Sequence, residues 1–232
     1  MYILGIETAT KTGGVAIVSE TGVLAEYTLN IEVTHSERLM STVDRVLKDT
    51  GFTLAEMDGY GVSIGPGSFT GLRIGLSTIK GLAFATGKPV AAVPTLKALA
   101  WNIPFPRYPV CPLLDARKKE VYAALYRHDG GTYIQEMPAS VISLAEMAGT
   151  MTGDILFTGE GARLFAGEIQ KVFGDRAHFA PLSSSVPSAA SVAEIALMML
   201  TAGQQTEPDS LVPMYIRRPE AEVAWEKRQR SR

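Results

Sequence analysis

The 232-residue chain has one cysteine and three histidines, and each scarcity removes a class of chemistry. A lone Cys111 excludes an intramolecular disulfide framework and a thiolate zinc cluster, which needs several Cys or Cys/His ligands at fixed spacing. The histidines His35, His128 and His178 are scattered, and Leu39 stands four residues after His35 where a second ligand would sit, so no metal site is visible. No apolar run approaches the roughly 18 residues of a membrane span. Met1 to Glu7 has no basic region and meets an acid at position 7, so no secretory leader is expected. Charge of one sign is lacking too: 22 basic and 24 acidic residues leave a net charge of -2, which predicts no bulk attraction to a polyanion. A reducing cytoplasm, without membrane association, is the expected setting.

What is present is a chain that is 46% apolar, long enough to bury about 70% of the surface its unfolded form exposes. Tyr2 to Glu7 reads as a buried strand, followed by a hairpin of Gly14 to Ser19 and Val23 to Leu29. Thr34-His35-Ser36-Glu37 has the form of a capping box, so a helix starts there, with Leu39, Val43, Val46 and Leu47 on one stripe and Gly51 at its end. Tyr60 to Ile64 reads as a strand, Ser68 to Thr86 as a helix closed by Gly87, Pro89 to Val93 as a strand and Thr95 to Asn102 as a short helix. Three prolines between Ile103 and Pro109 mark a linker. Beyond it, Val110 to Ala116, Glu120 to Arg127 and Thr132 to Met137 repeat the opening three strands, with helices near Ser143 and Arg163 and a late one over Ser188 to Ala202. The pattern predicts an α/β fold of two related units with mixed sheets flanked by helices, because parallel strands need helical crossovers. The expected division is 1–103, 110–207 and a tail, 208–232, returning to the first unit. From Arg217 onward the tail carries six basic and three acidic residues.

Several short motifs compete. Gly61-Val62-Ser63-Ile64-Gly65 matches a nucleophile elbow, but Pro66-Gly67 follow at once and leave Ser63 inside a strand, so the peptidase reading fails on context. Ser77-Thr78-Ile79-Lys80 lacks the companion motifs of acyl-serine enzymes. Gly65-Pro66-Gly67-Ser68-Phe69-Thr70-Gly71 is neither a dinucleotide fingerprint nor a P-loop, yet it is the most specific segment: a tight turn, a helix cap and free N–H groups where an anion could sit. Gly71 and Gly75 then form a groove for close packing, within the chain or between chains. Asp115, Arg117 and Glu120 could bind a substrate or pair locally. The glycine turn at Gly159 and Gly161 could hold a nucleotide, although any α/β crossover looks similar. A small-molecule kinase using Thr8, Gly67 and Gly159 around ATP is the rival reading, with Glu7 its only candidate acid.

Ile6-Glu7-Thr8-Ala9-Thr10, Thr34 to Glu37, Gly65 to Gly75, Asp115 to Tyr122 and Pro213-Met214-Tyr215-Ile216-Arg217 together resemble the TsaB (YeaZ) family over nearly the whole chain. The resemblance implies an actin-like ATPase (ASKHA) fold of two RNase-H-like subdomains. It implies a non-catalytic scaffold, working with a TsaD-like catalytic subunit and a TsaE-like ATPase. Together they place a threonylcarbamoyl group on N6 of adenosine 37 in ANN-decoding tRNAs, which the chain meets indirectly through the complex. Catalytic relatives carry a histidine pair on the helix that here has His35 and Leu39, and half a pair holds no metal. No cofactor is assigned to the chain itself; ATP or ADP is left to the interface between subunits, and Thr8, Gly159 and Gly161 are the weak nucleotide candidates. The implied partner surface is His35, Arg38, Leu39, Thr42, Val43, Phe69, Leu72, Arg73, Gly75, Leu76 and Lys80, facing the TsaD-like subunit or a second copy of the chain. On this reading Leu39→Arg or Gly75→Leu abolishes pairing and leaves the monomer folded.

Overall fold

The computed structural model describes residues 1–30 and 35–217. The capping-box residue Thr34 and the basic stretch after Arg217 lie outside them. The order is β1 (Tyr2–Glu7), β2 (Thr12–Ser19), β3 (Gly22–Asn30), α1 (His35–Thr50), β4 (Gly59–Gly65), α2 (Phe69–Thr86), β5 (Val90–Pro94) and α3 (Thr95–Trp101). There follow β6 (Val110–Asp115), β7 (Val121–Asp129), β8 (Thr132–Ile142), α4 (Leu144–Thr150), β9 (Ile155–Thr158), α5 (Glu160–Leu164), α6 (Ala166–Phe173), β10 (Ala177–Phe179) and α7 (Ala189–Thr201). The strands form two five-stranded sheets, ordered β3-β2-β1-β4-β5 and β10-β9-β6-β7-β8. In each, the first three strands pair antiparallel and the later ones add in parallel beside the first strand. The two halves of the chain therefore share one topology, the RNase-H-like pattern of an actin-like ATPase fold. Helix α6 and the short β10 were not separately expected.

The period of two along the central strands decides what covers each face. Leu4, Ile6, Val15, Ile17 and Val62 pack with Leu39, Val43 and Val46 of α1 and Leu76, Ile79 and Leu82 of α2. On the other face, Ile3, Ala16 and Val18 meet Ala189, Val192, Ala193 and Ala196 of α7. Helix α7 thus lies on the first sheet, although it follows the second sheet in sequence and was expected within the 110–207 unit. The cause is close approach: a Cβ on Gly5 would stand 2.6 Å from the Ala189 carbonyl oxygen, and one on Gly61 2.6 Å from Ala196 Cβ. Only a helix with small residues on one face fits against such a strip, and α7 supplies alanines there.

Helix α3 is shared. Its Ala98 joins the α7 side of the first sheet, while Leu96 and Leu99 pack with Val110, Leu114, Tyr126 and Tyr133 of the second. The far face of the second sheet is closed by Met147, Ile169 and Phe173 of α4 and α6 over Cys111, Leu113 and Phe157. Among the described residues, no helix is long and apolar enough to cross a membrane. Because the Gly5 site is bounded by backbone that cannot rotate away, Gly5→Ala is expected to destabilise the chain by about 1–3 kcal/mol. Urea unfolding should show a lower midpoint at unchanged slope; an unaltered midpoint would mean that α7 does not press on β1.

Candidate functional site

Helix α2 begins where its sequence says it should. The Ser68 side chain accepts from the Gly71 N–H at 3.2 Å, and Gly87, at φ +68°, ends the helix in the left-handed conformation that glycine tolerates. Between these caps an 18-residue helix shows two faces. Leu72, Leu76, Ile79, Leu82 and Ala83 point into the sheet, whereas Phe69, Arg73, Ser77, Gly81 and Phe84 follow one another along the outer side. Helix α1 lies alongside on the same sheet face, with Leu39, Val43 and Val46 inward and Arg38, Met40 and Ser41 outward.

This division corrects the expected partner surface. Leu39, Val43, Leu72 and Leu76 are buried in the chain's own core, and Gly75 faces the Thr8 hydroxyl, where an added Cβ would come within 2.3 Å of Oγ1. The Gly71/Gly75 groove is therefore filled from within, by the turn after β1. The apolar stripe of an amphipathic helix marks which side is buried but not by what, and here the chain's own sheet covers it. Arg38, Phe69 and Arg73 remain exposed, Thr42 and Lys80 are half-buried, and His35 opens α1. The Thr42 hydroxyl donates back to the Arg38 carbonyl at 2.9 Å. The sequence reading missed Phe84, which is 92% exposed, and Met40, which is 51% exposed. A signal was available: Phe84 falls on the stripe of Phe69, Arg73, Ser77 and Gly81, opposite the buried leucines, where an aromatic has nothing of its own to pack on.

The nucleotide candidates are also used internally. Thr8 is fully buried, its hydroxyl donating to the Gly71 carbonyl at 2.9 Å and its N–H to Ser63 Oγ at 3.4 Å. Gly159, at φ +91°, lies against β6 so closely that a Cβ would stand 2.4 Å from the Leu113 carbonyl oxygen, and Gly161 is pressed on the same residue. These glycines serve the packing of one chain segment on another. Ser63 is buried inside β4, with no exposed elbow around it. The histidines stay apart: His178 pairs with Asp154 at 2.8 Å, and His128 meets Phe105 edge-on. Among the described residues, no three His, Cys, Asp or Glu side chains come together as metal ligands.

Glu7, the acid on which the kinase reading depends, is fully buried at the end of β1. Its Oε1 accepts the Ala9 N–H and the Ser63 hydroxyl bonds to the carboxyl, while Oε2 has no partner among the described residues. Burial raises its pKa from 4.5 to about 7, against the lowering effect of those two hydrogen bonds. Among the described residues, its surroundings are the turn after β1 and the Ser63 side chain of β4.

The motif segments converge instead on a cleft of about 140 Å³ between the sheets, lined by Pro66, Gly67 and Phe69, by Ala116, Arg117 and Tyr122, and by Met214 to Arg217. Pockets for drug-sized ligands span roughly 300–1,000 Å³, and this cleft is smaller. At its rim the Arg73 guanidinium lies 3.9 Å over the Phe69 ring, Tyr215 stacks on the same ring at 5.2 Å, and Arg73 Nε donates to the Tyr215 hydroxyl at 3.1 Å. Arg117, Lys118 and Lys119 form an exposed turn in the left-handed region, at φ +65°, +56° and +62°. Nearby, burial and the Asp115 carboxylate raise the pKa of Glu160, opposed by Lys11 and Arg117.

Two predictions follow from this geometry. The raised pKa of Glu7 means that the folded chain binds more protons than the unfolded chain between pH 4.5 and 7, so this group's contribution to stability declines as pH rises through that window. The full decline is about 3 kcal/mol at most. Glu7→Gln should flatten the stability profile measured by urea unfolding from pH 5 to pH 8; an unchanged slope would show Glu7 to be solvated. Gly75→Leu should cost more than about 3 kcal/mol or prevent folding, given the contact with Thr8. A folded, stable Gly75→Leu chain would return that groove to the outer surface.

The family model described as TsaD, tRNA N6-adenosine threonylcarbamoyltransferase, matches residues 22–225. The tRNA threonylcarbamoyladenosine biosynthesis protein TsaB of Bacillus subtilis is 32% identical over 231 residues, 97% of this chain and 98% of that protein. The solved structure of YeaZ from Pseudomonas aeruginosa aligns with a TM-score of 0.79 at 27% identity, covering 92% of this chain and 99% of the other. A hexokinase of the ROK group from Thermus thermophilus, with a TM-score of 0.51 and 11% identity, shares the fold alone. Full-length agreement in sequence and topology places the chain in the TsaB (YeaZ) family of tRNA threonylcarbamoyladenosine biosynthesis proteins.

Proposed function

We propose that the chain is a non-catalytic scaffold that docks a TsaD-like catalytic subunit. With a TsaE-like ATPase, that pair transfers the threonylcarbamoyl group to N6 of adenosine 37 in ANN-decoding tRNAs. The observation that carries the reading is the outer face of α1 and α2. Phe84, Met40 and Phe69 are exposed there beside Arg38 and Arg73, on helices whose other sides are fully packed. Aromatics, methionine and arginine are the residue types enriched at protein interfaces. The active residues sketched for an enzyme are spent inside the fold: Ser63 and Thr8 bond to neighbours, and Glu7 is sealed. Leu39, where a second histidine would complete a ligand pair with His35, is a core residue. The chain acts as two RNase-H-like units joined at the proline-rich linker, and ATP or ADP, where it takes part, sits between subunits.

Light-scattering mass on a sizing column, for this chain, for a cognate TsaD-like subunit and for their mixture, tests the reading. A mixed species that modifies tRNA only when both chains are present is the expected result. Phe84→Glu and Arg73→Glu should each weaken the mixed species by about tenfold or more, or about 1.4 kcal/mol; Phe84→Glu should leave the unfolding midpoint of the monomer unchanged, whereas Arg73→Glu should lower it slightly through its lost contacts with Tyr215 and Phe69. Leu39→Arg should instead lower that midpoint. A mixed species indifferent to both surface variants places the interface elsewhere, and no mixed species at all refutes the scaffold role. The mass of the chain alone decides whether the same face also pairs two copies.

A further inference from the structure

The segment after α7 runs from the edge strand β5 past β4 to the start of α2. Thr206 bridges Val90 on the edge strand β5, its N–H donating to the Val90 carbonyl at 2.7 Å. Leu211 is 2% exposed and joins the core on the α1/α2 side, so the segment has passed from the α7 face around the sheet edge to the opposite face. The Met214 N–H then donates to the Ile64 carbonyl at 2.7 Å, and Tyr215 stacks on Phe69 and accepts from Arg73. One residue further on, the path leaves the first sheet. Arg217 donates to the Ala116 carbonyl and to the Glu120 carboxylate, at the two ends of the turn between β6 and β7.

That turn needs to be held. Arg117, Lys118 and Lys119 are three consecutive non-glycine residues at positive φ. L-residues in this region carry strain and persist only where surrounding contacts over-determine them. Within the turn, Asp115 accepts the Arg117 N–H at 2.8 Å, and the Glu120 N–H donates to the Arg117 carbonyl at 3.0 Å. From outside, Arg217 grips both flanks. Its bonds are charge-assisted, and its guanidinium fork meets the carboxylate and the carbonyl at once.

We propose that residues 206–217 are a brace that fixes the second sheet against the N-terminal end of α2, with Arg217 locking the basic turn 117–119 beside Phe69, Arg73 and Tyr215. The brace makes one continuous surface from two lobes. It therefore deepens the scaffold reading, on which its value to a partner rests: a partner that docks on α2 also meets the basic turn in a preset position. Without the lock, the turn relaxes.

Amide hydrogen exchange on the full chain alone, wild type against Arg217→Ala and Glu120→Ala, tests the brace without any partner. Arg217→Ala should accelerate exchange at residues 116–121 and 211–217 by about tenfold, with the amides of β1 and β4 and the unfolding midpoint little changed. Glu120→Ala should do the same more weakly, and the double variant should add nothing to Arg217→Ala. Unaltered protection at 116–121 in Arg217→Ala, or strictly additive effects, overturns the proposal. Because the experiment uses no partner, a brace that works in a chain forming no complex defeats the scaffold reading alone.

Discussion

Parallel pairing of β1 with β4 is the constraint on which the rest of the molecule depends, because parallel strands end at the same edge of a sheet and their turns must share that space. Here the turns interlock: the Ser68 N–H donates to the Ala9 carbonyl at 2.6 Å, and the Thr8 hydroxyl reaches the Gly71 carbonyl. Helix α2 is thus started in one position and one direction, which sets where Phe69 and Arg73 emerge. The second sheet repeats the solution with β6 and β9, the glycine turn after β9 lying on the Leu113 backbone. In folds of this kind the edge where the parallel strands end is where ligands are bound. Here Gly67, Phe69 and Ala116 line the cleft of about 140 Å³ at that edge, while Thr8 and Gly159 pack against neighbouring backbone.

The packing has a cost that is visible at one residue. Glu7 enters the junction fully buried, and among the described residues one of its carboxylate oxygens has no hydrogen-bond partner. A buried carboxyl in such surroundings favours its neutral form, which explains its raised pKa. The same tightness accounts for the small cleft between the sheets. Surface chemistry is displaced outward, to the α1/α2 face and the rim where Arg73, Phe69 and Tyr215 stack.

Much of the element order was legible because it rests on local signals: the apolar runs of β1 and β2, the Ser68 cap and Gly87 stop of α2, the prolines of 104–109. Which sides of α1 and α2 are buried was legible only in part. Periodicity places Leu39, Val43, Leu72 and Leu76 on common stripes, and either a sheet or a second protein could cover such a stripe. The short glycine motifs were ambiguous for a similar reason, since Gly75 and Gly159 meet the requirement of close backbone approach whether the approaching group is a ligand or Thr8 and Leu113.

The sequence by itself determined the α/β class, the repeated strand pattern, the caps and the family likeness, since each is written in residues near one another along the chain. Tertiary structure alone decided that α7 returns to the first sheet, that Thr8 fills the Gly75 groove, and that Arg217 reaches Glu120. Those outcomes depend on which surfaces of matching shape and charge meet after the chain has folded back over scores of residues. No local pattern encodes that meeting.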